Sequence, residues 1–197
     1  MPIPQIDDVR PILEDFELRI RKLLEAAWEE DWLTLPTRQR SILSKRSRAS
    51  AVFDFARHRA LIEFGDDAEI QVIPKGQTVQ FLFRNRVLVR IKKANAKGLG
   101  SNIQTQAVIE FVNPQIPLFD LPEIYHVEVC YQEDLYASRI ASIAVTARQL
   151  YRKIWSYELL RPGTASVVPM PARSQTADNV TPASARPRHI EKKDKKG

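Results

Sequence analysis

Six cationic residues crowd the stretch from Arg84 to Lys97, namely Arg84, Arg86, Arg90, Lys92, Lys93 and Lys97, and no acid interrupts them. Alternation along Val87–Lys92 puts Arg86, Arg90 and Lys92 on one face of a strand, with Leu88 beside them. A row of cations at that spacing neutralises phosphates, and Asn95, Asn102, Gln104, Thr105 and Gln106 supply neutral donors just downstream. The candidate binding site read from these residues is Arg84, Arg86, Arg90, Lys92, Lys93, Lys97, Asn102 and Thr105, facing either an acidic protein partner or nucleic acid. An internal use competes with both. Glu110, Asp120, Glu123, Glu128, Glu133 and Asp134 form a later run free of Lys and Arg, so acidic and basic stretches also complement one another within the fold.

Other chemistries find less support. The three histidines, His58, His126 and His189, are scattered, and neither His-Glu-x-x-His nor paired Cys-x-x-Cys occurs, so no zinc site and no cofactor are expected. Gly98-Leu99-Gly100-Ser101-Asn102 lacks the Gly-Lys-Ser/Thr ending of a phosphate loop and the third glycine of a dinucleotide fingerprint. The lone Cys130, inside the strand-like Tyr125-His126-Val127-Glu128-Val129-Cys130-Tyr131, reads as a small core residue. Asp54, Asp66 and Asp67 ahead of Glu69-Ile70-Gln71 form a degenerate version of a metal-dependent nuclease pattern, which needs acids on neighbouring elements. The balance of these motifs leans away from an enzyme.

The elements that must position these groups are legible from periodicity. Val9, Ile12, Leu13, Phe16, Ile20, Leu23, Leu24, Ala27 and Trp28 recur by threes and fours, which predicts an amphipathic helix over 7–31 with Pro11 in its first turn. Leu35-Pro36-Thr37 breaks it. A second helix is expected over 37–63, with Ile42, Ala49, Val52, Phe53, Ala56 and Ala60 as its stripe. The first segment is rich in acids and the second in bases (Arg38, Arg40, Lys45, Arg46, Arg48, Arg57, Arg59), which suggests a hairpin of opposite charge. From residue 69 the period changes to two. Glu69–Ile73, Thr78–Phe83 and Val87–Lys92 read as strands, with turns at Pro74-Lys75-Gly76 and Arg84-Asn85-Arg86 and a flexible loop over Lys93–Asn102. Thr105–Val112 reads as strand or short helix, Asn113–Pro122 as irregular, and Ile124–Tyr131, Arg139–Arg148 and Lys153–Leu159 as an antiparallel meander. The expected fold is α+β: residues 1–160 form one domain, a two-helix hairpin packed on a mainly antiparallel sheet spanning 69–159.

Residues 161–197 are proline-rich, lack apolar periodicity and end in Lys192-Lys193-Asp194-Lys195-Lys196, which predicts a disordered basic tail. This segment carries a net charge of +5 out of the chain's +6, so the high isoelectric point is a property of the tail. A single cysteine, no signal-peptide pattern at the start and no run of 18 apolar residues point to a cytoplasmic protein without a membrane span.

Residues 84–159 resemble a group of poorly characterised bacterial proteins. The likeness is carried by Arg84-Asn85-Arg86-Val87 through Arg90-Ile91-Lys92-Lys93, then Gly98-Leu99-Gly100-Ser101-Asn102-Ile103-Gln104-Thr105, Val127-Glu128-Val129-Cys130-Tyr131 and Trp155-Ser156-Tyr157-Glu158. Members of that group resemble products of operons that also encode an XRE-type helix-turn-helix regulator and an ImmA-like metallopeptidase, as in toxin–antitoxin and phage-defence modules. The resemblance implies an interaction protein, the toxic component of such a module, whose partner is the regulator. The alternatives are a nucleic-acid-binding module using 84–97 and the lysine-rich tail, and a degenerate nuclease centred on Glu69. On the binding readings, neutralising Arg90, Lys92 and Lys93 is expected to remove function and spare the fold.

Overall fold

The computed structural model describes residues 3–76, 78–100 and 124–161. The expectations for Asn102, Thr105, the 105–112 element, the proline-rich 113–122 segment and the tail beyond residue 161 therefore lie outside the described residues. Within them the architecture is α+β, with helices followed by a six-stranded, mostly antiparallel sheet.

The first helical segment is built from shorter pieces: α1 (Ile6–Leu13), a 3-10 turn over Glu14–Phe16, α2 (Glu17–Ala26) and a π-helical turn over Ala27–Trp32. Because α1 starts at Ile6, Pro11 stands well inside it rather than in its first turn, and withholds an amide from the ladder. The second segment is also divided. α3 (Thr37–Ile42) ends where Leu43 turns extended, and α4 (Lys45–Phe64) begins with Ser44 as its cap, the Ser47 amide donating to Ser44 Oγ at 3.1 Å. This break takes Ile42 off the expected stripe and leaves it in solvent. The buried line of α4 is Val52, Ala56, Ala60 and Phe64, one residue per turn.

The strands are β1 (Ile70–Lys75), β2 (Thr78–Phe83), β3 (Val87–Lys93), β4 (Tyr125–Glu133), β5 (Ile140–Gln149) and β6 (Arg152–Glu158), in spatial order 1-2-3-4-5-6. Two antiparallel meanders, β1–β3 and β4–β6, meet along one parallel pairing in which Arg90 lies opposite Glu128 and Lys92 opposite Cys130. Pro74 lies in β1 rather than in a turn, which an edge strand tolerates.

Alternation gives the sheet two unlike faces. Phe81, Phe83, Val87, Val89, Ile91, Val127, Val129, Tyr131, Ile143 and Val145 join Val9, Leu13, Phe16, Ile20, Leu24, Val52, Ala56, Ala60 and Phe64 in one apolar cluster, so the helices cover this front face. Its centre is aromatic: Phe16 meets Phe83 edge-on at 5.0 Å between centroids, and Phe64 meets Phe81 at 5.5 Å. Among the described residues no helix is long and apolar enough to cross a membrane.

Charge pairs close the layers, in part helix against helix as the opposite charges of the two segments suggest and in part helix against sheet. Arg59 does bridge to Asp31 and Glu30, but Arg48 reaches across to Glu133 on β4, and Arg19 of α2 pairs with Glu63 and Asp67. Buried Arg21 donates to the Leu159 carbonyl and to Glu25, anchoring the end of β6 to α2.

Candidate functional site

The candidate cations of the 84–97 stretch have separate fates. Arg84 and Asn85 occupy the β2–β3 turn with φ of +46° and +54°. Arg84 pairs with Glu69 at 2.9 Å and Asp15 at 2.6 Å and lies over the Phe16 ring, which makes it a strut between sheet and helix. Arg86 stands over the Tyr125 ring at 5.7 Å. Lys93 donates to Glu133, which also receives Arg48, so one carboxylate gathers two cations. Lys97 sits exposed in the loop after β3.

Arg90 is buried on the sheet's reverse face and so cannot be part of a solvated cationic row. Its Nε and a terminal nitrogen both donate to Glu128 Oε1, the first at 2.9 Å. Glu128, 1% exposed, also accepts the Gly100 amide at 3.1 Å on Oε2 and lies 3.4 Å from Arg148 Nε. Thus Glu128 and Glu133 answer Arg90 and Lys93 within the sheet, the internal use weighed above. Neutralising Arg90 would strand a buried carboxylate, so the expectation that its loss spares the fold is corrected.

The segment that closes over Glu128, residues 94–100 of the expected loop, is braced by its own hydrogen bonds. Asn95 Oδ1 accepts the Lys97 amide at 2.8 Å and the Leu99 amide at 3.1 Å, while Ala94 bridges to Gly100. A Cβ on Gly100 would stand 2.6 Å from Glu128 Oε2 and 2.9 Å from Lys92 Cβ, so only glycine permits this approach. Gly98 takes φ +72° beside Lys153.

Around Glu128 the reverse face holds Lys92, Cys130, Thr146 and Arg148. Burial, joined by the neighbouring Arg90, lowers the Lys92 pKa, and burial likewise lowers that of Arg90 against the pull of Glu128. Burial first, then Glu128, pushes the Cys130 thiol up to about 12, which leaves no thiolate for nucleophilic work. Arg148 and Thr146 gave no signal in the sequence; Arg148 carries the parity of the reverse face only once the β5 register is known.

The acids of the nuclease pattern are engaged separately. Asp67 accepts from Arg19, which holds its carboxyl below the ordinary range, Glu69 accepts from Arg84, and Asp54 is exposed on α4. A shallow recess beside them is lined by Glu69, Gln71, Arg84 and Asn85.

A second surface lies where α4 starts beside Glu133. Arg38, Lys45 and Arg46 are exposed there and form no ion pair among the described residues. At the same end Ile42 is 79% exposed, and the β4–β5 turn, which leaves Glu133 directly, presents Leu135 at 91% and Tyr136 at 84%. The turn is rigid despite that exposure: Asp134 accepts from the Ser138 amide and hydroxyl, and Trp28 donates to the Ser138 carbonyl. Neither the apolar tips nor this charge cluster was singled out from sequence as a joint feature, because the two segments lie some ninety positions apart. No family model, curated protein or solved structure matches this chain.

Proposed function

We propose that this chain is an interaction protein that docks an acidic protein partner through the end formed by the α3–α4 corner and the β4–β5 turn. The observation that carries this reading is the contrast between two sets of cations. Arg90 and Lys93 are neutralised inside the sheet, whereas Arg38, Lys45 and Arg46 have no ion-pair partner among the described residues and lie at the end that exposes Ile42, Leu135 and Tyr136. Rigid apolar tips within a cationic surround anchor and steer an acidic surface. The resemblance of residues 84–159 supports an XRE-type regulator or ImmA-like metallopeptidase as that partner, and a toxin–antitoxin-like or phage-defence module as the setting, with this chain as the toxic component. The experiment is affinity purification of the tagged chain from its own cells, with mass-spectrometric identification of what it retains. The expected result is an acidic protein held at low salt, released near ~0.5 M salt where screening is strong, and absent from an Arg38→Glu/Lys45→Glu/Arg46→Glu variant. Equal retention by the parent and that folded variant would overturn the reading.

A further inference from the structure

We infer that the reverse face of the sheet binds a phosphate-type oxyanion between Lys92 and Arg148, a site separate from the docking end proposed above. The starting observation is a count of charges. Arg90, Lys92 and Arg148 surround one carboxylate, Glu128, whose oxygens already accept two Arg90 donors and the Gly100 amide. Arg148 gains little from it. Its Nε, 3.4 Å from Glu128 Oε1, makes no hydrogen bond although the side chain is only 8% exposed. A buried guanidinium N–H left without an acceptor costs free energy that a ligand oxygen would recover.

Lys92 adds a second cation to the same strand-face parity. It is half-buried, has no carboxylate partner among the described residues, and its Nζ lies 6.0 Å from the centre of the Phe53 ring. The outer strand adds to the excess: exposed Lys153 is the register partner of Arg148 just past a β-bulge, and like charges so placed repel. Glu158 shares the Lys92–Cys130–Ala144 row but is exposed at the outer strand. Burial first, then Arg90 and Arg148 against the pull of Glu128, lowers the Lys92 pKa.

The chemistry of the donors selects the ligand. A planar guanidinium paired with a compact ammonium matches tetrahedral phosphate oxygens, and among the described residues three cations against one carboxylate match the double charge of a terminal phosphate. Half-buried Lys92 is the more accessible of the two cations, and the Asn95-braced loop brings Gly98 beside Lys153.

Calorimetry and thermal melting of the full chain test the site, with inorganic phosphate, a nucleoside monophosphate and a ten-nucleotide single-stranded RNA as probes against chloride at matched ionic strength. Phosphate is expected to raise the melting temperature of the parent and of Lys97→Gln. Lys92→Gln and Arg148→Gln should each weaken binding at least tenfold. Tighter binding of the monophosphate would identify a terminal phosphate, and tighter binding of the RNA a backbone phosphodiester, provided both are lost in the variants. Should Arg148→Gln fold poorly, Lys92→Gln carries the test, since that side chain makes no ion pair among the described residues. A parent that responds to phosphate no more than to chloride, or a Lys92→Gln variant that binds every probe as the parent does, would overturn the proposal. Neither outcome bears on the protein-docking end, whose variants leave Lys92 and Arg148 untouched.

Discussion

At the scale of single residues, what a charge contributes here is set by its burial and partners. Arg90 and Arg38 are the same side chain in two environments, one buried against Glu128 and the other exposed with no ion-pair partner among the described residues. Replacing Arg90 with glutamine leaves Glu128 buried with its main cation gone, and breaking a buried pair from one side costs about 3–5 kcal/mol. Urea denaturation of Arg90→Gln should show that loss as a lower midpoint, whereas Arg38→Gln should stay within about 0.5 kcal/mol of the parent, as surface substitutions do. Near-equal midpoints for the two variants would mean that Arg90 is not a structural charge. The parity of Arg90 in the strand is legible from the sequence; its desolvation is not, because Glu128 arrives from another strand through a parallel pairing.

Elements show the same division between local signal and long-range outcome. The apolar spacing of 9–28 specifies a helical face, and Val9, Leu13, Phe16, Ile20, Leu24 and Trp28 are all buried. The division of the second segment is local too, in hindsight: Ser44 followed at three residues by Ser47 is a capping geometry that ends α3 and restarts the chain as α4. That cap sets the direction in which Ile42, Lys45 and Arg46 project. Ser44→Ala should cost about 1 kcal/mol of stability by thermal melting, and it should raise amide exchange first at Lys45–Arg48. A rise spread evenly along α4 would mean that packing against the sheet, rather than the cap, holds the corner.

For the whole molecule, the core begins at Val9 and ends at Leu159, whose carbonyl accepts from buried Arg21. The segment beyond residue 161 has no apolar periodicity with which to join a core, so deleting 165–197 should leave the melting temperature within about 2 °C of the full chain. Ending the chain at Tyr157 removes Leu159 from the core and strands Arg21, and this shorter chain should melt well below the first or fail to fold. A large loss on removing only 165–197 would show that the basic segment docks on the folded unit.

The sequence by itself determined the class of the fold. Periods of 3.6 and 2 are written in neighbouring residues, and each alternation between apolar and polar positions requires a buried face and an exposed one. It also set the candidate cations on one strand, since parity is a local property. Tertiary structure alone decided which of those cations are free. The parallel β3–β4 pairing places Glu128 against Arg90, the register of β5 adds Arg148, and the Arg48–Glu133 pair brings the α3–α4 corner to the exposed β4–β5 turn. Coulombic and desolvation energies depend on distances through space and on exclusion of water, and neither is recorded in the order of residues along a chain.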